Sequence, residues 1–493
     1  MSFEQLPVLQ VALPLLGAVI CAMVQRGIYA WAIATAVSWM LPFIAGYLLL
    51  QAVTVGPISY ALGGWEPPWG IEYRVDVVNA FVLVLVSAVG AVIMPYARQS
   101  VASEIAPERQ AWFYAMYLLC LCGLLGITIT DDAFNAFVFL EISSLSTYVL
   151  IALGRDRRAL LAAYQYLILG TIGATFYVIG IGLLYTMTGT LNLVDIAGRI
   201  DDIETTRPIL AALAFLTVGI SLKLALFPLH VWLPNAYAYA PSVATAFLAA
   251  TATKVAIYLL LRFFFSVFGV GFVFDTLPVT TIFLALSVAA MFGASIVAVF
   301  QEDVKRMLAY SSVAQIGYIT LGIALANQSG LTGGIVHLFN HAVMKSALFL
   351  VLGAIFYRIG SVKITEFGGL GYRMPLTMGA FVIAGLGIIG VPGTAGFISK
   401  WYLAQGALEA GDWWIVFLLF GSSVISILYI GRVAEVAWFK PVSEKAASAT
   451  DPPISMLVPA LILAAATIYF GFETDFSRGV AELAAQTLLK GLK

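Results

Sequence analysis

The chain has 493 residues, of which 61% are apolar and only 10% charged, with a mean hydropathy of +0.98. Soluble proteins carry roughly 25% charged residues, and so thin a complement cannot coat a water-exposed surface of this size. Soluble enzymes, nucleic-acid binders and disordered scaffolds are excluded, and the composition fits a chain whose solvent is lipid. Its 25 Lys and Arg against 26 Asp and Glu give a net charge of −1, so no basic tail or nucleic-acid partner is implied.

Apolar runs of about twenty residues, the length of a spanning helix, begin near Leu6, Ile28, Val75, Trp112, Ala133, Leu160, Ile209, Ser242, Val273, Met307, Leu331, Leu376, Trp413 and Ile454. They predict an all-α membrane protein with fourteen spans, numbered here in chain order. Span 1 lacks a charged leading region and a small-residue cleavage site, so it reads as a spanning helix rather than a removed signal peptide. Cys21, Cys120 and Cys122 all fall inside apolar runs. With no second pair or nearby histidine, they read as small lipid-buried hydrophobes rather than a metal or disulfide site. The tail, with Phe476, Val480, Leu483 and Leu488 around Arg478 and Glu482, predicts a short interfacial helix.

Connections after odd-numbered spans hold 13 cations, among them Arg155, Arg157, Arg158, Lys305 and Lys363. Those after even-numbered spans, with the two termini, hold 7: Arg74, Arg199, Arg207, Arg262, Arg478, Lys490 and Lys493. The positive-inside rule then places both termini on the non-cytoplasmic side of the cell membrane.

Two spans are broken near their middles. In span 7, Pro228 removes a donor and obstructs the carbonyl of Leu224; span 12 is interrupted at Pro392-Gly393. The breaks lie 164 residues apart, Ser143-Ser144 and Ser311-Ser312 lie 168 apart, and the ends of spans 6 and 11 at Tyr185 and Tyr357 lie 172 apart. Ordinary proline kinks would explain one break; two at matching positions predict a duplicated unit of five spans. Spans 4–8 (residues 111–268) and spans 9–13 (269–440) would be its copies. A three-helix segment (1–110) precedes them, and span 14 with the tail (441–493) follows. Five is odd, so the second copy would sit inverted. Transporters build ion paths from such inverted repeats, each with a discontinuous helix.

Lys223, Lys254, Lys345 and Lys400 lie within apolar spans, where each would cost about 2.5–3.5 kcal/mol if it faced lipid, so they are predicted to face inward. Glu141 is equally isolated in span 5. His230 sits beside the span 7 break, while His337, His341 and Lys345 follow at i, i+4, i+8 on span 11, one polar stripe on an apolar helix. That stripe reads as a proton relay. A zinc site is the competing reading, but the sequence offers no H-E-x-x-H and no third ligand at suitable spacing. Burial disfavours a charged ammonium and a nearby carboxylate restores it. Glu141 and Lys223 are therefore read as a switchable pair, with a purely structural ion pair as the alternative. Gly385-Leu-Gly-Ile-Ile-Gly390 matches a dinucleotide fingerprint in letters only, without strand or βαβ context, and reads as close helix packing. No redox or hydrolytic site, and no cofactor or metal, is expected.

Several stretches resemble the antiporter-like proton-pumping subunits. They are Lys223-Leu-Ala-Leu-Phe-Pro-Leu-His-Val-Trp-Leu-Pro, Asp303-Val-Lys-Arg-Met-Leu-Ala-Tyr-Ser-Ser, His337-Leu-Phe-Asn-His-Ala and Gly396-Phe-Ile-Ser-Lys-Trp. This family includes the L, M and N subunits of respiratory complex I and the A and D subunits of Mrp-type Na⁺/H⁺ antiporters, and the resemblance covers about residues 75–440. It implies that Glu141 is the span 5 glutamate, Lys223 its lysine partner, Lys254 the connecting lysine and Lys400 the lysine of the exit half-channel. The M subunit has glutamate where Lys400 stands, and the L and A subunits carry C-terminal extensions, which leaves the D-like and N-like branches; the wording around Phe397 is nearer D. The implied function is proton translocation in a multisubunit Na⁺/H⁺ antiporter, with other membrane subunits as partners. The alternative is a pumping subunit of a complex I-type NADH-quinone oxidoreductase or a membrane hydrogenase. A purely structural membrane subunit is the third reading, and the buried charges argue against it.

Overall fold

A computed structural model of the chain describes residues 5–203 and 206–491; Lys493 lies outside them. Thirteen helices are long and apolar enough to cross a membrane, and span 12, in two shorter pieces, completes the predicted fourteen. Spans 1 to 6 are Leu6–Val24, Gly27–Thr54, Val77–Glu104, Pro107–Ile129, Ala133–Ala152 and Arg158–Thr188. Span 7 consists of 7a (Arg207–Leu224) and 7b (Leu233–Tyr239), and span 8 is Ser242–Leu261, continued by a wider-wound π turn over Arg262–Val267. Spans 9, 10 and 11 are Val279–Val299, Val304–Leu325 and Gln328–Ile359. Span 12 is 12a (Pro375–Ile389) and 12b (Ala395–Glu409), followed by span 13 (Trp413–Phe439) and span 14 (Ile454–Phe472).

Polar residues just outside the apolar runs set the helix starts. Asp76 accepts from the backbone N–H of Val78 and Asn79 at span 3, Asp132 from Asn135 at span 5, Asp303 from Arg306 at span 10 and Asn327 from Gly330 at span 11. Each supplies an acceptor to donors that the first helical turn leaves without partners.

Spans 4, 8, 10 and 11 form the centre, 83%, 94%, 89% and 83% buried along their apolar stretches, against 33% for spans 2, 13 and 14, whose outer faces are left for lipid or neighbours. Span 4 packs on 5, 5 on 6, 6 on 7a, 7a on 8 and 4 on 8; likewise 9 packs on 10, 10 on 11, 11 on 12, 12 on 13 and 9 on 13. Spans 8 and 11 pack on each other and join the two sets. This recurrence of pairings is what a duplicated unit would produce.

Three features were not read from the sequence. Strands β1 (Ile58–Ala61) and β2 (Glu72–Val75) form an antiparallel hairpin with Ile58 opposite Val75, and a surface helix covers Leu193–Asp202. Arg262, read as a loop cation, instead lies inside the π turn, 4% exposed and paired with Asp76. The tail forms a helix over Asp475–Lys490, and its small-residue face of Ser477, Ala481, Ala484 and Ala485 is buried, packed on spans 3 and 11. Phe476 packs against the Phe81 and Phe339 rings there.

Candidate functional site

Span 7a ends before the proline is reached. Ala225 adopts a left-handed φ of 60°, Leu226 N–H returns to Ser221 O at 3.0 Å, and the Trp232 indole N–H donates to Leu222 O at 2.9 Å. Pro228 stands in the exposed turn between the half-helices. Lys223 thus occupies the last turn of 7a, where the unpaired carbonyls and the helix dipole favour a cation. Its Nζ donates to Ser144 Oγ at 2.6 Å and lies 3.9 Å from Glu141 Oε1. Spans 5 and 7 therefore bring the predicted pair together. Gly170 of span 6 makes the room: a Cβ there would come within 2.0 Å of the Tyr148 hydroxyl and 3.4 Å of Lys223 Nζ.

A cavity of about 30 Å³ adjoins Lys223, lined by Ser143, Ser144, Thr147 and Tyr166 and, from span 8, by Ala252, Val255 and Ala256. It is large enough for a water molecule, has hydroxyls in its wall, and lies between Lys223 and the helix that carries Lys254. Lys254 is fully buried and donates to Ala249 O, with Thr253 Oγ at 3.4 Å. It lies within electrostatic range of His337, His341 and Lys345.

The stripe on span 11 is present, and all three side chains are fully buried. The rings of His337 and His341 stack with centroids 5.9 Å apart and 7° between their planes. His337 has both nitrogens engaged, Nδ1 with Ser399 Oγ at 2.7 Å and Nε2 with Gln315 Oε1 at 2.9 Å. Neither nitrogen of His341 has a hydrogen-bond partner among the described residues. Such buried orphans are rare outside functional sites. Lys345 donates to Leu308 O at 2.8 Å. Among the described residues no three His, Cys, Asp or Glu converge in a way that could hold a metal.

At the second break, Gly390 and Gly393 both adopt φ of 87°, the left-handed region that glycine tolerates. Span 12b starts so close to the end of 12a that a Cβ on Gly396 would lie 1.9 Å from the Gly387 carbonyl oxygen. The glycines of the nominal fingerprint serve close packing as well: a Cβ would lie 2.6 Å from Ile430 at Gly385, 2.5 Å from Met344 at Gly387 and 2.8 Å from Lys400 at Gly390. Lys400 reaches back from 12b and donates to Ile388 O, Ile389 O and Ser423 Oγ at 3.1, 2.8 and 2.8 Å. Its Nζ also lies 4.5 Å from the centre of the Tyr318 ring, which in turn is 5.4 Å from His337. His230 stands apart, stacked on Phe227 in the span 7 turn and 6.3 Å from Tyr310.

Sequence reasoning missed the supports: Ser144, Gln315, Tyr318, Ser399 and Ser423. Polar residues on apolar spans were the available signal. It also missed a cluster on the cation-rich side. There Lys305 donates to Ser242 Oγ at 3.0 Å, and Ser242 donates from N–H and Oγ to Glu104 Oε2 at 3.0 and 3.2 Å. Glu104 and Lys305 line an opening of about 400 Å³ with Arg155, Arg158, Asp303 and Lys363. The cysteines are all buried and free.

Residues 130–426 match the family model described as NADH:quinone oxidoreductase/Mrp antiporter, TM. The N subunit of the NADH-quinone oxidoreductase of Desulforudis audaxviator is 42% identical over 95% of this chain and 96% of that one. The D subunit of the Na⁺/H⁺ antiporter of Alkalihalophilus pseudofirmus is 30% identical over 87% of this chain and 86% of its own length. A chain of an archaeal membrane-bound sulfane sulfur reductase superposes with a TM-score of 0.91 at 30% identity, covering 99% of this chain and 98% of that one. A chain of the Mrp complex from Dietzia sp. DQ12-45-1b superposes at 0.88 with 25% identity and the same coverage.

Proposed function

The chain belongs to the NADH:quinone oxidoreductase/Mrp antiporter transmembrane family, and on that premise we propose that it is a proton-translocating subunit of a multisubunit Na⁺/H⁺ antiporter. Protons move along Glu141, Lys223, Lys254, His341, Lys345, His337 and Lys400. The observation that carries this reading is the Lys223–Glu141 pair, 3.9 Å apart beside a helix break in an apolar bundle. A buried ammonium is unstable alone and stable beside a carboxylate. When the pair is closed, Lys223 holds its proton; when it opens, the proton passes through the adjoining cavity towards Lys254. The half-helix ends supply fixed dipoles at both lysines of the breaks. The two five-span units are inverted copies, both termini face away from the cytoplasm, and the partners are further membrane subunits, with H⁺ and Na⁺ as the transported ions. The chain holds no redox or hydrolytic site of its own.

A second reading, a pumping subunit of a redox complex, is favoured by the 42% identical N subunit and by the sulfane sulfur reductase fold match. The assembled complex separates the two. Everted vesicles carrying it should lose an imposed pH gradient on Na⁺ addition, and the purified complex should be colourless. Iron–sulfur absorbance without Na⁺-driven exchange would move the chain to the second reading. Neither signal from an intact complex would overturn both.

A further inference from the structure

Span 8 carries its own polar stripe. Lys254, Tyr258 and Arg262 are spaced i, i+4, i+8 and share one helix face, as His337, His341 and Lys345 do on span 11. The stripe runs from the bundle centre to the side reached by connections after even-numbered spans. Arg262 Nε donates to the Tyr258 hydroxyl at 2.9 Å, and its NH2 pairs with Asp76 Oδ1 at 2.6 Å, both side chains 5% exposed. Asp76 is committed further, because the same oxygen caps span 3.

Beside this pair lies Asp131, 6% exposed, in the short connection between spans 4 and 5. Its backbone is pinned: its N–H donates to Glu72 O at 2.9 Å and its carbonyl accepts from Leu193 N–H at 2.8 Å. Its Oδ2 is buried and has no hydrogen-bond partner among the described residues. The neighbouring Glu72 differs: its carboxylate accepts from Ser59 Oγ at 2.5 Å and Asn192 Nδ2 at 2.9 Å. Asp132 is occupied as the cap of span 5.

We infer that Asp131 is a proton-exchange carboxyl at the outer mouth of the first five-span unit, serving the face of span 8 that carries Lys254. The groups that face it are Glu72 and Arg74 from β2, Asp76 at the cap of span 3, and Tyr258 and Arg262 from span 8 and its π turn. Burial pushes the Asp131 carboxyl up to about 7; Arg262 and Arg74 pull it down, and Glu72 and Asp76 add to the rise. It is therefore neutral below about pH 7 and ionised above, so it can load and release a proton across the working range. Release breaks the O–H bond on the carboxyl, sends the proton to water at the mouth and leaves a carboxylate beside Arg262. Arg262 stays protonated throughout; it positions Tyr258 and acts on Asp131 only through its charge, without carrying the proton.

The inference rests on the proton-translocation reading, but its first test does not. Infrared difference spectra of the purified complex between about pH 6 and 8 should show a protonated-carboxyl band that disappears on ionisation near pH 7. The band should be missing in Asp131→Asn and kept in Asp132→Asn. If Asp131→Asn does not assemble, Asp131→Glu should move the band's midpoint. A band that neither variant changes overturns the assignment. Exchange in everted vesicles then tests the role: Asp131→Asn should slow it several-fold above about pH 7 and flatten its pH profile. A wild-type profile in an assembled Asp131→Asn complex overturns the exchange role. Loss of Na⁺-driven exchange in the wild type would instead refute the parent reading and leave the infrared result standing.

Discussion

The two broken helices each bring a lysine to the end of a half-helix, by different routes. Span 7a ends at Leu224 with its own lysine, Lys223, in the last turn; span 12a ends at Ile389 and receives Lys400, folded back from the following half-helix. Both lysines stand at the C-terminal end of a half-helix, where the dipole favours a cation, but only Lys400 sets its ammonium on the carbonyls there, while Lys223 turns its own to Ser144. Their other partners differ too. Lys223 has the Glu141 carboxylate at 3.9 Å and a cavity of about 30 Å³ at its side, whereas Lys400 has carbonyls, Ser423 and the Tyr318 ring, beside an apolar cleft of about 580 Å³. Trp401 and Phe420 in that cleft stand on the outer surface of the bundle. A carboxylate that moves can gate its lysine, while fixed carbonyls can only hold theirs. On the proposed mechanism the first half switches and the second passes the proton on.

That contrast can be broken experimentally. Lys223→Ala should bring sodium–proton exchange close to background, a loss of about tenfold or more, because the gated proton has no carrier; dye-monitored everted vesicles measure it. Lys400→Ala should also impair exchange, and it carries a structural cost at the break. The Ile388 and Ile389 carbonyls lose their donor, at about 1–3 kcal/mol for a buried group. The solubilised Lys400→Ala complex should therefore melt below the wild type; equal melting would mean the lysine does not hold the break together. His341→Ala should slow exchange several-fold with assembly intact, since no hydrogen bond from a described residue is lost. Normal exchange would remove His341 from the path. Glu141→Asp, one methylene shorter, should leave partial activity, measured in the same vesicles.

Much of this was legible in the sequence, because an ionisable residue in an apolar run has few places to go. The fourteen spans, both breaks and the isolation of Glu141 and the four lysines followed from hydropathy and proline placement. The offset of 164 residues aligns the breaks, but it puts Gly387, not a lysine, opposite Lys223. That Lys400 folds back onto the carbonyls of the preceding half-helix therefore needed the fold. Arg262 was misread because a cation at the end of an apolar run looks like a loop residue, and its partner Asp76 is 186 residues away. The spacing to Lys254 and Tyr258 was visible and could have placed it inside. The β1–β2 hairpin and the surface helix lie between apolar runs, where a hydropathy reading has no signal.

The gate depends on the carboxylate, so Glu141→Ala tests it most directly. With the carboxylate gone, nothing holds the proton on the buried ammonium between cycles, and Lys223 keeps only its bond to Ser144. Na⁺-driven exchange, read in everted vesicles by a pH-sensitive dye with complex levels checked by blotting, should fall to near background. Wild-type exchange from a fully assembled Glu141→Ala complex would make the pair a structural contact and contradict the switch.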